Sequence, residues 1–361
     1  DTLGFNQDGS NNYRIVTSQV FRDPGAWFHI VASVDTTQST ASNRAKLYLN
    51  GSQITSFSTE SYMSQNSEGL INSADNVEIG RNPNGSVFWD GYMAELVFID
   101  GQALTPTSFA ETTDEGVYQP IDVSGLTFGS NGYYLKGEDS SDLGNDSSGN
   151  NNDFSSSGLA AADQMSDSPT NNHCTLNPIQ QDATGLSDGN LQFTTSSTGT
   201  HKMASGTIAV SSGKFYAEVT CNATLGSNAR IGIIPDDNVN FTGSNAHVGD
   251  DANSFAYVDS GVKESNNTQS SYGASYANGD VIAMALNLDD NEITFFKNGS
   301  SQGAISITAN TEYRFAGSHF GSGGMLFNFG QSSFAATPPA GFKALSTANL
   351  PDPTITDPSK Y

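Results

Sequence analysis

Two short stretches of this chain share one pattern, Ala45-Lys46-Leu47-Tyr48-Leu49-Asn50-Gly51 and Glu292-Ile293-Thr294-Phe295-Phe296-Lys297-Asn298-Gly299. Apolar residues alternate with polar ones in each, which is the period of a β-strand with one buried face. The closing Asn-Gly suits a two-residue type I′ turn, because both central residues of that turn need positive φ. Each stretch follows a longer apolar strand that ends in Asp, at residues 27–35 and 281–289. A strand–loop–strand–hairpin unit that occurs twice predicts two all-β domains of related architecture.

The composition favours many short strands joined by polar turns. The chain has 361 residues, of which 37 are Gly and only 14% are charged, and this length suffices for two domains. Acidic residues number 38 against 14 basic ones, and the formal net charge is −24. A negative surface of this size repels phosphate backbones, so we expect no nucleic-acid partner. No apolar stretch reaches the length of a membrane span, so we expect no membrane-spanning segment either.

Cysteine usage does not indicate a disulfide framework. Cys174 and Cys221 are the only two cysteines, and Cys221 alternates with Phe215, Ala217 and Val219 on the apolar face of a predicted strand. We therefore expect a buried free thiol at Cys221 rather than a bridge.

Four motifs follow one another in the first region, residues 1–112. They are Trp27-Phe28-His29-Ile30-Val31-Ala32, Leu47-Tyr48-Leu49-Asn50-Gly51, Val77-Glu78-Ile79-Gly80-Arg81 and Gly91-Tyr92-Met93-Ala94-Glu95-Leu96-Val97-Phe98-Ile99-Asp100. Their order and spacing resemble the laminin-G-like (concanavalin-A-like) jelly roll, which implies a β-sandwich of the lectin type. Apolar residues on both faces of residues 27–35 predict a central strand that is covered on both sides.

The first region departs from that family at its beginning. The family has several strands before the Trp27-Phe28-His29 strand, whereas only residues 1–26 precede it here. Residues 87–99 are predicted to form one long strand, and we therefore expect the apolar faces of residues 27–34 and 87–99 to lie partly bare in an isolated chain. We also expect the domain to be completed by residues outside this chain or by another subunit, in a homo-oligomer.

The middle segment, residues 113–185, has the composition of a polar linker. Its stretch from Asp146 to Asn150, with Asp153, is similar to the loop that opens many laminin-G-like sandwiches, so we expect an ordered turn attached to the second domain. The segment also carries the hard oxygen ligands of a candidate calcium site: Asp139, Asp142, Asp146, Asn150 and Asp153. A polar loop that caps its own turns explains these residues better, because their spacing is not that of an EF-hand. Calcium is the one cofactor that the sequence suggests.

The third region, residues 186–347, alternates clearly from strand to strand. Its motifs are Gly213-Lys214-Phe215-Tyr216-Ala217-Glu218-Val219, Arg230-Ile231-Gly232-Ile233-Ile234, Val281 to Asp289 with the Asn298-Gly299 hairpin, and Phe327-Asn328-Phe329-Gly330. In order they resemble the SPRY domain, another β-sandwich, although Ala217 stands where that family usually carries Trp. Residues 348–361, with three prolines, are interpreted as a tail or linker.

Alternation of apolar residues predicts two separate cores. The first comprises Phe28, Ile30, Val34, Leu47, Leu49, Leu96 and Phe98. The second comprises Phe215, Val219, Ile231, Met284, Leu286, Phe295 and Phe327. The fold class that follows is all-β, with two antiparallel sandwiches in tandem.

No catalytic constellation stands out in the sequence. The single Gly-x-Ser-x-Gly, at residues 185–189, lacks the strand before it and the helix after it that a nucleophile elbow needs, so we interpret it as a turn. The five histidines are dispersed without zinc-site spacing. Glycoside hydrolysis requires two carboxylates that face one cleft, and no strand carries a Glu-x-Asp-x-x-Glu pattern. We therefore predict that the chain is not an enzyme.

Recognition is predicted to reside in the loops of the SPRY-like region. Residues 235–251 and 259–278 are long and mix flat aromatic rings with Asn and Ser, as contact surfaces do. The candidate ligand-binding residues are Phe241, Asn245, His247, Tyr257, Tyr272 and Tyr276.

The pairing of the two domains, with the ending at residues 338–351, resembles structural proteins of marine tailed bacteriophages. The resemblance implies a virion surface protein, in a tail fibre, a spike or a head decoration, with other virion subunits and a host-surface glycan as partners. The alternative is a secreted, extracellular carbohydrate-binding module, attached to a glycoside hydrolase. Both interpretations rest on analogy of fold, because sandwich folds serve many functions.

Overall fold

The computed structural model describes residues 2–7, 13–23, 25–69, 77–82, 87–89, 91–114, 116–179, 185–195, 199–222, 227–237 and 246–351. Strands hold 41% of the chain and helices 4%, which confirms the all-β prediction. The chain divides into an N-terminal unit, residues 1–89 and 93–164, and a C-terminal unit, residues 90–92 and 165–361.

The middle segment is not a linker. Its residues up to Gln164 belong to the N-terminal unit and those from Met165 onward to the C-terminal unit. The expected ordered turn exists, but it is attached to the first domain, because Asp146 pairs with Leu135 in an isolated antiparallel bridge. Downstream, Cys174 N donates to Leu345 O at 2.9 Å, which ties the start of the C-terminal unit to its end.

The strands of the N-terminal unit form several small sheets. They are β1 Thr2–Gln7, β2 Tyr13–Val20, β3 Ile30–Val34, β4 Ala45–Leu49, β5 Ser52–Gln53, β6 Phe57–Ser61, β7 Leu96–Phe98, β8 Ala110–Thr112, β9 Tyr118–Pro120 and β10 Tyr133–Leu135. The sheet orders are β1-β2-β6, β3-β4-β5, β7-β10 and β8-β9. Short 3₁₀ helices lie at Ala41–Asn43, Pro106–Ser108 and Ala161–Asp163.

The core of the N-terminal unit differs from the predicted one. Buried residues cluster in two groups, Tyr13, Ile15, Ala45, Leu47 and Met63, and Val123, Phe128 and Tyr134. Of the seven predicted core residues Leu47 is buried, and Phe28, Leu49, Leu96 and Phe98 are half-buried. The prediction is wrong for Ile30 and Val34, which are 45% and 39% exposed. The physical reason is position: β3 lies at the edge of its sheet and not at the centre.

The C-terminal unit is a sandwich of two large antiparallel sheets. Its strands are β11 Leu186–Ser187, β12 Gln192–Thr195, β13 His201–Ser205, β14 Lys214–Cys221, β15 Ser227–Pro235, β16 Phe255–Val258, β17 Val262–Ser265, β18 Thr268–Ser271, β19 Val281–Asn287, β20 Glu292–Lys297, β21 Ser300–Ser306, β22 Tyr313–Phe320, β23 Gly323–Asn328 and β24 Lys343–Ala344. One sheet has the order β11-β12-β23-β14-β19-β20-β21, and β24 adds to β14 in parallel. The other has the order β13-β22-β15-β16-β17-β18, and a 3₁₀ helix follows at Thr347–Asn349.

The core between these two sheets confirms the second predicted set. All seven predicted residues are buried in one cluster, to which both sheets contribute. For example, Phe295 and Met284 come from one sheet and Ile231 and Phe315 from the other. Burying a side chain of this size stabilises the fold by about 1.5–3 kcal/mol.

The two Asn-Gly turns have the predicted geometry. In each of them the Asn also makes the same pair of hydrogen bonds to the start of the strand that precedes the hairpin. Asn50 and Gly51 have φ of 46° and 81°, and Asn298 and Gly299 have φ of 47° and 77°. Asn50 N donates to His29 O, and Asn50 Oδ1 accepts from His29 N, both at 2.9 Å. In the second unit Asn298 makes the same two hydrogen bonds to Val281, both at 2.8 Å. We call this double contact the Asn latch.

The C-terminal core predicts that substitutions at two isoleucines of the same unit will differ in their effect on stability. Ile231 is 0% exposed and Ile179 is 68% exposed. We expect Ile231→Ala to destabilise the unit by about 2–5 kcal/mol, because it leaves a cavity, and Ile179→Ala to change stability by less than about 0.5 kcal/mol. Urea unfolding, followed by hydrogen exchange of peptides from β14 and β19, measures both. Equal losses from the two substitutions would contradict the assignment of this core.

Candidate functional site

The residues predicted to form a contact surface in the C-terminal unit are mostly buried. Tyr257 is 0%, Tyr276 4% and His247 7% exposed, while Tyr272 is half-buried. Phe241 and Asn245 lie outside the described residues.

The buried tyrosines have their hydroxyls satisfied by backbone. Tyr276 donates its hydroxyl toward the carbonyls of Ala229 and Tyr257, both 2.9 Å away. Its ring centroid lies 5.0 Å from that of Tyr257, in an edge arrangement. The prediction of a contact surface is therefore wrong for Tyr257, Tyr276 and His247, because these rings fill the interior and use their polar tips internally.

His247 belongs to a buried network centred on the carboxylate of Glu264. Nε of Arg230 donates to Glu264 Oε2 at 2.9 Å, Nε2 of Gln269 donates to the same oxygen at 2.8 Å, and Nε2 of His247 lies 3.0 Å from Oε1. Burial raises the pKa of Glu264, but the hydrogen bonds from His247, Arg230 and Gln269 outweigh it and bring the pKa to about 2. The carboxylate is 4% exposed and joins β15, β17, β18 and the loop before β16. We interpret this network as structural.

Two further buried histidines lie in the same unit, and one of them, His201, packs beside the network. The ring of His201 lies 4.7 Å from that of His247, and the ring of His319 lies 5.0 Å from that of Phe193. Burial lowers the pKa of His201 to about 4, and the positive charge of Arg230 contributes. Burial likewise lowers the pKa of His319 to about 4, although the backbone at Gly321 acts in the opposite direction. Both rings are therefore neutral near pH 7.

The predicted calcium ligands hydrogen-bond within their own loop. Asp146 accepts hydrogen bonds from the backbone N–H of Tyr134, Ser148 and Asn152, at 2.8–2.9 Å. Burial raises its pKa, but these hydrogen bonds lower it further, so the net shift is downward. Asp153 in turn accepts from Asp146 N at 2.9 Å.

The other three predicted ligands lie apart from a common centre. Asp139 accepts from Ser141 in its own turn, and the side-chain amide of Asn150 donates to the carbonyls of Gly129 and Gly132. Asp142 donates its backbone N–H to Asp139 O at 3.0 Å. Within the described ranges no three His, Cys, Asp or Glu side chains are grouped so as to hold a metal ion. The arrangement is that of a self-capping polar loop, and calcium binding stays a prediction.

The Gly-x-Ser-x-Gly and the two cysteines are the remaining candidates for chemical reactivity, and the structure gives each a structural role. Residues 185–189 comprise the short strand β11 and the start of the turn that leads into β12, with Asp188 at φ 52°, so the Gly-x-Ser-x-Gly lies at a hairpin and not before a helix. Cys174 and Cys221 are both free and buried, which confirms the prediction for Cys221. Burial raises the pKa of the two thiols to about 11 and about 12 respectively, so both stay protonated at neutral pH.

A surface that the sequence analysis missed lies on the N-terminal unit. Residues 80–82 and 87–89 form an antiparallel ladder, in which Trp89 N donates to Gly80 O at 2.7 Å and Arg81 pairs with Phe88. We call these residues the aromatic hairpin. Val87, Phe88 and Trp89 are 61%, 68% and 59% exposed.

Polar and apolar groups accompany these exposed rings. Arg81 forms an ion pair with Glu78, and both side chains are partly exposed. Met93, 41% exposed, lies beside Gly80 and extends the apolar patch. Flat rings with charged groups alongside are the usual composition of a site for an amphipathic ligand. The signal in the sequence was the Phe88-Trp89 pair next to an Asn-Gly, which the alternation analysis assigned to a long strand at residues 87–99. Among the residues of that range that the structure describes, 87–89 and 91–99, the strand is limited to Leu96–Phe98.

Family models match both halves of the chain. A model of the concanavalin A-like lectin/glucanases superfamily matches residues 1–110, and a SPRY domain model matches residues 214–327. The chain therefore contains a lectin-like concanavalin A-like domain and a SPRY domain, which is compatible with a binding function. No helix in the described ranges is long and apolar enough to span a bilayer.

Individual relatives share the chain only in part. The ATP-dependent RNA helicase DDX1 of Xenopus laevis is 29% identical over 145 residues, which are 39% of this chain and 18% of that protein. The chain thus spans about a fifth of the length of this curated relative. Among solved structures, the SPRY domain of human HERC1 is 16% identical with a TM-score of 0.38, covering 44% of this chain and 99% of that one. Stonustoxin is 15% identical with a TM-score of 0.36, covering 43% and 27%.

The buried histidines predict a pH dependence of the C-terminal unit. Their folded-state pKa values of about 4 lie below the ordinary 6.5, so the folded state disfavours their protonation. The resulting stability is complete above pH 6.5 and is lost as the pH falls from about 6.5 to 4, by up to about 1.4 kcal/mol per pH unit for each ring. Glu264 adds a further loss of folding stability as the pH falls from its ordinary pKa of 4.5 to its folded-state pKa of about 2.

We expect the double variant His201→Phe and His319→Phe to lose less stability than the unmodified chain as the pH falls from about 6.5 to 4. Urea midpoints at pH 7, 5.5 and 4, read from hydrogen exchange of β14 and β19 peptides, measure the slope. His29→Phe in the other unit is the control and leaves the slope unchanged. An unaltered slope in the double variant would show that other groups cause the acid loss.

Proposed function

We propose that this chain is a non-enzymatic surface protein of a virion, in a tail fibre, a spike or a head decoration of a tailed bacteriophage. In this role its lectin-like domain adheres to a glycan of the host surface, and the SPRY domain acts as a rigid structural and binding module. Its partners are then other virion subunits and the host glycan, and its location is the exterior of the virion.

The observation that carries the adhesive role is the exposure of the aromatic hairpin. Phe88 and Trp89 are more than half exposed although each ring is large and apolar. Together with Val87 and Met93 they make a contiguous exposed apolar patch, and such patches commonly mark binding surfaces, whereas single exposed apolar residues do not. A sugar ring offers the matching surface, since its C–H face packs on an aromatic ring and its hydroxyls hydrogen-bond to side chains such as Arg81 and Glu78.

The acidic surface supports an exterior location. A formal net charge of −24 disfavours polyanionic partners and keeps the chain soluble, and a salty medium screens its self-repulsion. The second candidate is a secreted carbohydrate-binding module attached to a glycoside hydrolase. The matched superfamily favours it, because its description names glucanases as well as lectins.

Substitutions in the aromatic hairpin test the adhesive role. We expect Trp89→Ala to weaken binding of the chain to host cells, or to isolated host-surface polysaccharide, by roughly tenfold or more. Val87→Ala, beside the ring, is expected to have a smaller effect in the same direction. Val117→Ala is the matched control, because Val117 is 55% exposed in the same unit but outside the aromatic hairpin. Full binding by the Trp89→Ala variant would exclude this surface.

Purified virions distinguish the two candidates. Mass spectrometry of purified tailed-phage virions is expected to detect peptides of this chain in amounts comparable to other structural proteins. Absence from virions, together with release of reducing ends from marine polysaccharides by the parent protein, would favour the secreted module.

A further inference from the structure

The strand β3 leaves its core-side face uncovered. Ile30 and Val34 are 45% and 39% exposed, and Ala32 between them is exposed too. We call these three residues the bare triplet. On β4, Leu47 lies opposite Ala32 and Ala45 opposite Val34, and both are buried. Paired residues of antiparallel strands point to the same face of a sheet. One continuous face is therefore covered over β4 and bare over β3.

The backbone of the bare triplet also points away from β4. Asp35 N donates to Arg44 O, and His29 makes both of its backbone hydrogen bonds with Asn50, on the β4 side. The direction of the backbone N–H and C=O groups alternates from one residue of a strand to the next. Between His29 and Asp35, the even-numbered residues therefore direct their N–H and C=O groups away from β4. Within the part of the chain that the structure describes, no hydrogen bond reaches these outward groups, and β3 pairs with β4 alone.

This edge lacks the features that normally prevent strand addition. Ile30–Val34 contains no charged residue, no Pro and no register shift against β4. Other described edges differ from it. β18, Thr268–Ser271, consists of four exposed polar residues, and β21 joins its neighbour through a shift between Thr294 and Phe296. The edge of β3 therefore carries none of the usual barriers to strand addition, and the bare triplet adds an apolar face to it.

We propose that β3 pairs antiparallel with β3 of a second copy of this chain, about a two-fold axis at Ala32. In this register Ile30 lies opposite Val34 of the partner subunit, and Ala32 lies opposite the partner's Ala32. Each of these is a hydrogen-bonded pair, because the bare triplet directs its backbone outward. The two bare triplets then form one apolar strip across the joined sheets.

The ends of the strand match this arrangement. The same register places His29 opposite Asp35 of the partner subunit, once at each end of the paired segment. Both side chains keep the hydrogen bonds that they make within their own chain, His29 Nδ1 with the Tyr118 hydroxyl and the Asp35 carboxylate with Thr37 and Gln38. This register brings no like charges to face each other at the ends of the paired segment. A self-complementary strand of this kind is what an isologous two-fold interface requires. The dimer needs neither a glycan nor a virion, so it stands independently of the proposed function.

A charge placed at the axis tests the dimer in the full chain. Sedimentation over roughly 1 µM to 1 mM is expected to show mass rising from 38.0 kDa toward twice that value. Ala32→Lys sets two ammonium groups against each other at the axis and is expected to weaken the dimer by at least tenfold. Ala304→Lys is the matched control, because Ala304 is exposed on the edge strand β21. Circular dichroism confirms that both variants are folded.

Cysteine cross-linking tests the register itself. Ala32→Cys places two thiols at the axis, where paired Cα atoms lie about 5.5 Å apart, within reach of a disulfide. Ile30→Cys places them four residues out of register, about 14 Å apart, so it is not expected to cross-link alone. A mixture of Ile30→Cys and Val34→Cys chains is expected to cross-link as a heterodimer. A monomer throughout the concentration range, or equal cross-linking by Ala32→Cys and Ile30→Cys alone, would overturn the proposal.

Discussion

The Asn latch is the contact on which the arrangement of strands in both units depends. In each unit one Asn closes a hairpin through its positive φ and binds both backbone groups of a residue at the start of the preceding strand. A shift of one residue in this pairing would turn every side chain of the strand to the opposite face. The latch therefore fixes the pairing register that decides which apolar residues point inward. The same device occurs at Asn50 and at Asn298, which explains why the two stretches are alike in sequence.

The strands that the Asn latch holds, β3 and β19, have different surroundings in the two units. β19 lies between β14 and β20, and the facing sheet covers its inner side, so Met284 and Leu286 are fully buried. β3 has one neighbour, and the cover over its sheet ends at β4. Ile30 and Val34 are as apolar as their counterparts but remain exposed. A strand can thus have correct register and still lack the burial that stabilises it, and the pairing with a second copy that we propose rests on this difference.

Whether an aromatic or polar side chain can contact a ligand depends on whether its polar group is already hydrogen-bonded inside the protein. Tyr257 and Tyr276 lie among Asn and Ser in sequence, yet their hydroxyls bind backbone carbonyls inside the sandwich. Glu264 is likewise occupied by three donors. Phe88 and Trp89 have no such burial, because a short hairpin ladder holds them clear of the core. The adhesion that we propose therefore rests on the exposed rings of the N-terminal unit, Phe88 and Trp89.

The sequence by itself determined the fold class, the two Asn-Gly turns, the C-terminal core and the free thiol at Cys221, because each depends on period-two alternation or on local φ. For the strand of Ile30 it supported two conflicting expectations, a place in the first core and a partly bare face, and the structure shows the exposed face. It misplaced the tyrosine loops, the division of the middle segment at Gln164 and the strand assigned to residues 87–99. These depend on which side chains meet across sheets, and such contacts join residues far apart in the chain. Only the tertiary structure decided them, because an aromatic residue in a polar loop has the same local pattern whether its ring turns inward or outward.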